Sequence, residues 1–251
     1  MKILDLFSGI GGFSLGLERA GMQTIAFCEV DPVCRQVLKK HWPNVPIFED
    51  VKTLTAKDIH DTVDVICGGF PCQDISVAGH GAGLAGERSG LWYEYHRLIE
   101  EIRPRYIIIE NVAALRTRGL DEVLRCLDAL GYDAEWHCIP ASAVGAPHQR
   151  DRVWVIAYRQ SMADAEQPRP QGRLSWWADQ ERQGELGHLG RCRTVDGQPI
   201  ENQWNTEPDV GRVAHGVSGR THRLKQLGNA VVPQIPELIG RAILTYENSL
   251  D

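Results

Sequence analysis

Short apolar runs alternate with amphipathic stretches through the first 158 residues of the chain. Runs at 2–7, 24–29, 63–67, 105–110, 134–139 and 152–158 have the length of strands. Stretches at 12–21, 32–41, 90–102 and 118–130 repeat apolar residues at helical spacing. Asp31-Pro32 supplies an N-cap and a first-turn residue for the second helix, and Gly131 a stop for the fourth. Tyr106-Ile107-Ile108-Ile109 is apolar at every position, as a central parallel strand covered on both faces must be. The alternation predicts an α/β protein built on a doubly wound, mostly parallel sheet. From about 160 to 222 the rhythm stops, and Gln, Arg, Gly and Pro surround Trp176, Trp177 and Trp204. That stretch is too polar for a large core of its own, so it is either a small irregular module or partly disordered. A final helix is expected over roughly 234–247, begun by Pro233 and Pro236.

Size and charge narrow the picture only a little. A chain of 251 residues can bury one sizeable core with a small appended module. No apolar run approaches membrane-spanning length, and Met1-Lys2-Ile3-Leu4-Asp5-Leu6 enters a strand-like run without the layout of a signal peptide. A cytoplasmic location and no membrane partner are therefore expected. The seven cysteines, at 28, 34, 67, 72, 126, 138 and 192, have no zinc-like spacing, so no metal site is expected and they read as reduced thiols. The net charge of −6 argues mildly against nucleic acid as a partner, but it is unevenly spread: residues 159–225 carry a net +1 and the rest −7. A polyanion would favour the later segment.

Two sets of residues carry candidate chemistry. Asp5-Leu6-Phe7-Ser8-Gly9-Ile10-Gly11-Gly12-Phe13 is a strand passing through a glycine turn into a helix, where a nucleotide-like cofactor can approach the backbone. Glu29 ends the next strand, at the place for a carboxylate accepting from ribose hydroxyls, and Asp50 follows a third short run. Ser14 occupies the last position of a would-be dinucleotide fingerprint. An adenosine-bearing cofactor is therefore favoured over a nicotinamide dinucleotide, and a plain tight turn is the bland alternative.

The second set surrounds a thiol. Cys72 stands in Gly69-Phe70-Pro71-Cys72-Gln73, where an apolar run gives out into a Gly/Pro loop, a placement suited to a nucleophile. Glu110 caps the three isoleucines and is costly to leave unpaired, so desolvation should raise its pKa and let it donate a proton. Its alternative is a carboxylate capping the next segment. Arg150 and Arg152, two apart at a strand start, would point the same way and suit a phosphate or a substrate carbonyl. Their alternative is a pair of surface charges balanced by Asp151.

With Leu227-Gly228-Asn229-Ala230-Val231-Val232-Pro233, these motifs fall in one order along the chain. In that order the chain resembles the DNA (cytosine-5) methyltransferases of the bacterial and phage restriction–modification type. The resemblance implies the S-adenosylmethionine-dependent methyltransferase fold, S-adenosylmethionine as donor with S-adenosylhomocysteine as product, and a cytosine flipped out of double-stranded DNA as substrate. It implies that Phe7, Ser8, Gly9, Gly11, Gly12, Glu29, Val30, Asp50, Val51, Pro71, Leu91 and Asn229 hold the cofactor. By the same resemblance Cys72 attacks carbon 6 of the base, Glu110 protonates ring nitrogen 3, and Arg152, with Arg150 beside it, holds the base. Residues 1–158 would form the cofactor-binding and catalytic domain, 159–222 a short target-recognition region, and 223–251 a segment returning to the catalytic domain. The protein would be a monomer in a bacterial or phage-infected cell, modifying DNA or protecting it from restriction.

The chain departs from the family pattern twice. His148 stands where the family has glutamine before the first arginine, and the stretch between the arginines and the Gly-Asn motif is short. Recognition would then rest on few bases, or partly on the glycine-rich loop 76–84. Two alternatives stay open: an RNA cytosine-5 methyltransferase, and an inactive DNA-binding homologue, against which the intact Cys72, Glu110 and Arg152 argue.

Overall fold

A computed structural model describes residues 1–71, 90–159 and 229–249. Seven strands form one sheet: β1 Lys2–Leu6, β2 Gln23–Cys28, β3 Ile47–Phe48, β4 Val65–Gly68, β5 Tyr106–Val112, β6 Tyr132–Pro140 and β7 Asp151–Arg159. The described helices are α1 Gly12–Ala20, α2 Pro32–His41, α3 Leu91–Ile102, α4 Leu115–Arg118, α5 Leu120–Ala129 and α6 Gln234–Asn248.

The strand order is β3-β2-β1-β4-β5-β7-β6, with only β7 antiparallel to its neighbours. The chain winds outward from β1 in one direction and from β4 in the other, so the switch point lies between them. In such sheets the crevice beyond the carboxyl ends at that point receives ligands. Because β7 runs against β5, it begins where β5 ends. That single reversal brings Arg150 and Arg152 to the carboxyl edge.

Burial on both faces follows from the apolar strands. Leu4, Leu6, Ile107 and Ile109 pack with Trp92, Tyr95, Leu98, Val123 and Leu127 of α3 and α5. Ile3, Val65 and Ile108 turn to the other face, against Phe13 and Leu17 of α1 and Ile235, Ile239 and Ile243 of α6. Asp31 caps α2 as expected, its Oδ1 accepting from the Val33 and Cys34 amides at 2.8 and 3.4 Å. Gly131 follows α5 with a positive φ of 79°.

Three expectations needed adjustment. The short run before Asp50 is a true strand, β3, which raises the count to seven. The helix expected over 118–130 is α5, which starts at Leu120 because Gly119 separates it from the short helix α4 that the sequence did not suggest. And β5 does not stop at Glu110: it continues through Val112 because β7 pairs with Glu110, Asn111 and Val112. The region 160–222 and the loop 76–84 lie outside the described residues.

Candidate functional site

The turn after β1 is built from conformations of alternating hand. Phe7, Gly9 and Gly11 have φ of 53°, 54° and 87°, while Ser8 and Ile10 do not. Alternation of this kind turns successive amides toward one side and makes a concavity for an anionic group. The turn is locked from below. Ser8 Oγ donates to the Asp5 carbonyl at 2.6 Å, and the Ser8 amide donates to the Cys28 carbonyl at 3.2 Å. Helix α1 then starts with no side-chain cap and no acidic residue in its first turn, so its N-terminus is left for an outside acceptor.

Glu29 closes the other side. One oxygen accepts from the Gly9 amide and the other from the Asp31 amide, each at 2.7 Å. A carboxylate fixed this way keeps further lone pairs for hydroxyl donors. Val30 beside it is 73 % exposed, an apolar side chain held in the open at the sheet edge. Asp50 stabilises its own loop, its carboxylate accepting from the Lys52 amide at 2.9 Å, and Val51 is buried. Phe7 stacks at 6.3 Å from Tyr95 in a tilted geometry, and Leu91 opens α3. Gly12 sits under the Val231 carbonyl, which a Cβ at Gly12 would meet at 2.6 Å. Pro71 is the last described residue before Cys72, and Asn229 the first described residue of the returning segment. The predicted cofactor residues in β1, β2, β3 and their loops thus converge on the carboxyl edge of the sheet at the switch point. An open helix N-terminus, a fixed carboxylate and exposed apolar surface fit a cofactor with a carboxylate, a ribose and an adenine.

The second centre lies one strand further on. Gly68 pairs with Ile109, so Gly69 and Glu110 leave the ladder side by side. A Cβ at Gly69 would stand 3.0 Å from Glu110 Oε2, and the missing side chain is what admits the carboxyl group. Arg152 is the register partner of Val112 and therefore a diagonal neighbour of Glu110, and its Nε donates to Glu110 Oε1 at 2.8 Å. The Glu110 side chain is 12 % exposed. Burial pushes its carboxyl above the ordinary value, and the guanidinium groups of Arg152 and Arg150 only partly offset that. A carboxyl poised this way can hold a proton and give it up.

Arg150, whose charge also acts on Glu110, has a contact of its own. It precedes β7 with a φ of 43°, so strand alternation does not govern it. Its Nη2 donates to the Ala230 carbonyl at 2.8 Å, tying the returning segment to this end of the sheet. Burial and the Arg152 charge lower its pKa, and the Glu110 carboxylate partly offsets them. Cys72 lies outside the described residues, but its approach does not: the Phe70 carbonyl accepts from buried Asn111 Nδ2 at 3.2 Å, and Phe70 packs on Trp92.

Asn111 was visible as a motif member without a task. Arg97 of α3 gave no sequence signal at all, yet its Nη2 donates to the Val51 and Leu54 carbonyls at 3.0 and 2.9 Å and holds the Asp50–Val51 loop. Asp5 was also missed. It is fully buried, accepts from Ser14 Oγ at 2.7 Å, and is pushed by desolvation up to about 7. A carboxylate between Leu4 and Leu6 was the available signal. Among the described residues no His, Cys, Asp and Glu cluster could hold a metal ion, and no helix is long and apolar enough to cross a membrane.

Comparison with known proteins places these features in a family. The model of the C-5 cytosine-specific DNA methylases matches residues 1–198. The type II methyltransferase M2.BsuMI of Bacillus subtilis (strain 168) is 39 % identical over 165 residues, covering 62 % of this chain and 42 % of the relative. M.CviJI of Paramecium bursaria Chlorella virus IL3A is 37 % identical over 160 residues, covering 63 % and 43 %. The chain thus spans less than half the length of either relative. A solved DNA modification methyltransferase encoded within an Escherichia coli prophage shares 28 % identity at a TM-score of 0.56, over 65 % of this chain and 48 % of that one. Spodoptera frugiperda DNMT2, at 23 % identity and a TM-score of 0.55 over 68 % and 53 % of the two chains, shares the fold.

Proposed function

The chain belongs to the C-5 cytosine-specific DNA methylase family, and from that premise we propose that it is a DNA cytosine-5 methyltransferase using S-adenosylmethionine. One juxtaposition carries the reading: a buried carboxyl with a raised pKa, bonded to Arg152 at 2.8 Å, over the glycine that leads into the Pro71-Cys72 loop.

Carbon 5 of cytosine is a poor nucleophile until the ring is activated. The Cys72 thiolate adds to carbon 6 of a base turned out of the duplex. Glu110 delivers its proton to ring nitrogen 3, so the electron pair displaced by the thiolate is taken up as an enamine rather than as a ring anion. Arg152 remains beside Glu110 and offers its other donors to the cytosine carbonyl, while Arg150 adds positive potential. Phe7, Ser8, Gly9, Gly11, Gly12, Glu29, Val30, Asp50, Val51, Pro71, Leu91 and Asn229 are assigned to the donor. When bound, the donor would supply a methyl group on a sulfonium for carbon 5, with S-adenosylhomocysteine as the product. A base then removes the proton from carbon 5, and the pair from that C–H bond expels Cys72 from carbon 6.

The finer reading is a monomer acting on double-stranded DNA in the cytoplasm, without a metal, in modification or restriction protection. Residues 159–222 would select the site and 223–251 would complete the catalytic domain. DNA containing 5-fluorocytosine tests the reading, because fluorine at carbon 5 blocks the final elimination. The protein should be trapped as a covalent complex in the presence of the donor, and Cys72→Ala should not. Equal trapping of both would remove Cys72 from its role. Transfer of labelled methyl to tRNA but not to duplex DNA would replace the substrate.

A further inference from the structure

Beneath the glycine turn lies a tryptophan that neither the motifs nor the chemistry above accounts for. Trp42 follows the last residue of α2, and its indole Nε1 donates to both carboxylate oxygens of Glu18 on α1, at 3.0 and 2.9 Å. The indole also packs edge-on against Phe27 of β2, with ring centroids 5.3 Å apart. Its six-membered ring reaches the turn itself. A Cβ at Gly11 would stand 2.6 Å from Trp42 Cζ3 and 2.8 Å from Cη2, with Leu38 Cδ2 at 3.0 Å. Gly11 is the N-cap of α1 and holds a φ of 87°, so it is the residue that aims the helix N-terminus. The Glu18 carboxylate also receives the Thr24 amide at 3.4 Å, which fixes it to the start of β2.

We propose that Trp42 and Glu18 are positioning residues for the cofactor: the indole, held level by Glu18, is the floor on which Gly11 rests. Neither side chain touches the donor. They act by holding the turn in the conformation that presents amides and the α1 N-terminus, so less ordering remains for the ligand to bring about. The inference rests on the assignment of this turn to S-adenosylmethionine. It differs from plain core packing in what it affects. A packing role lowers stability and leaves ligand affinity alone, whereas a floor beneath the turn shifts affinity for the donor and spares the chemical step.

The test is calorimetric titration of S-adenosylhomocysteine into the full chain, with steady-state kinetics on duplex DNA. Trp42→Ala and Glu18→Leu should each weaken the ligand by about tenfold, the size expected for losing a hydrogen bond to a charged group or the contact it orients. Trp42→Phe should lose less, because a ring remains under the turn. The donor KM should rise in step, while kcat at saturating donor and the KM for DNA stay within about twofold of wild type. Gly11→Ala should disrupt binding in the wild-type background, and adding Trp42→Ala should make it no worse, because the contact is then already gone. If wild-type protein fails to bind S-adenosylhomocysteine, the assignment of the turn falls. If wild type binds and Glu18→Leu and Trp42→Phe, both folded, bind equally well, the floor falls and the assignment stands.

Discussion

Replacing Asp5 by Asn should remove a pH dependence from the stability of the fold. Asp5 is fully buried at the end of β1. Its Oδ2 accepts from Ser14 Oγ at 2.7 Å, and its Oδ1 makes no hydrogen bond among the described residues. Its register partner on β4 is Cys67, a weak S–H donor. Desolvation carries the carboxyl from its ordinary 3.8 to about 7. At roughly 1.4 kcal/mol per pH unit, ionising it inside the fold costs about 4 kcal/mol. That is a large part of the 5–15 kcal/mol that keeps a typical domain folded. The folded state holds this proton more tightly than the unfolded chain. The stabilisation is therefore complete below pH 3.8, is lost as pH rises toward 7, and changes no further above that. Asn keeps the acceptor for Ser14 and cannot ionise. Any cost of placing its NH₂ beside Cys67 is independent of pH, because burial keeps the thiols of Cys67 and Cys28 protonated throughout the window. Urea unfolding of both proteins between pH 5 and 8.5 checks this. The variant should gain on wild type by up to about 1.4 kcal/mol per unit up to pH 7, then run parallel to it. Parallel curves throughout would mean that Asp5 is an ordinary carboxylate, and the account of the buried turn would fail.

Four further outcomes are expected. Glu110→Gln should lower the methyl-transfer rate by roughly 10²–10⁴ while leaving S-adenosylhomocysteine affinity nearly unchanged by calorimetry; loss of the cofactor instead would move Glu110 to the other site. Wild-type turnover should fall as pH rises through the raised pKa of Glu110, whose protonated form is the donor, and Glu110→Gln should not show that limb. Gly69→Ala puts a methyl group 3.0 Å from Glu110 Oε2, so the rate should drop about tenfold or more with little change in melting temperature; unchanged turnover would show that the carboxyl does not work from this position. Arg97→Met leaves the Val51 and Leu54 carbonyls without their donor and should raise the donor KM about tenfold at unchanged kcat, measured by titrating S-adenosylmethionine at saturating DNA.

How much of this was legible in the chain depends on whether the signal was local. The isoleucines of β5 announced a doubly covered strand because both faces need apolar residues, and Ile107 and Ile108 do go to opposite clusters. Asp31-Pro32 announced α2 because capping is decided within four residues. Glu110 was legible as a misfit among apolar neighbours. What one strand could not reveal was its partner: the direction of β7 decides both that β5 extends to Val112 and that Arg152 meets Glu110. The contact of Arg150 with the Ala230 carbonyl was hidden for a related reason. Spacing of two implies a common direction only inside a strand, and Arg150 lies just before one, at a positive φ. Arg97 and Trp42 were illegible because each works through contacts far along the chain.

The same topology decides how the last helix returns to the sheet. Strand β7 starts at the carboxyl edge, beside Val112, and ends at the amino edge, where the Arg159 amide donates to the Arg105 carbonyl. The chain is next described at Asn229, back at the carboxyl edge, where Arg150 holds the Ala230 carbonyl at 2.8 Å. From there α6 runs down against α1, so closely that a Cβ at Gly16 would strike the Pro233 carbonyl and one at Gly240 would lie 2.8 Å from Ala20 Cβ. Its far end is fastened to the start of β5, with Tyr106 Oη donating to Glu247 at 2.7 Å. Residues 160–228 therefore connect two fixed points separated by the height of the sheet. Arg150, by holding the Ala230 carbonyl, thus keeps the returning segment at the same end of the sheet as the Glu110–Arg152 pair.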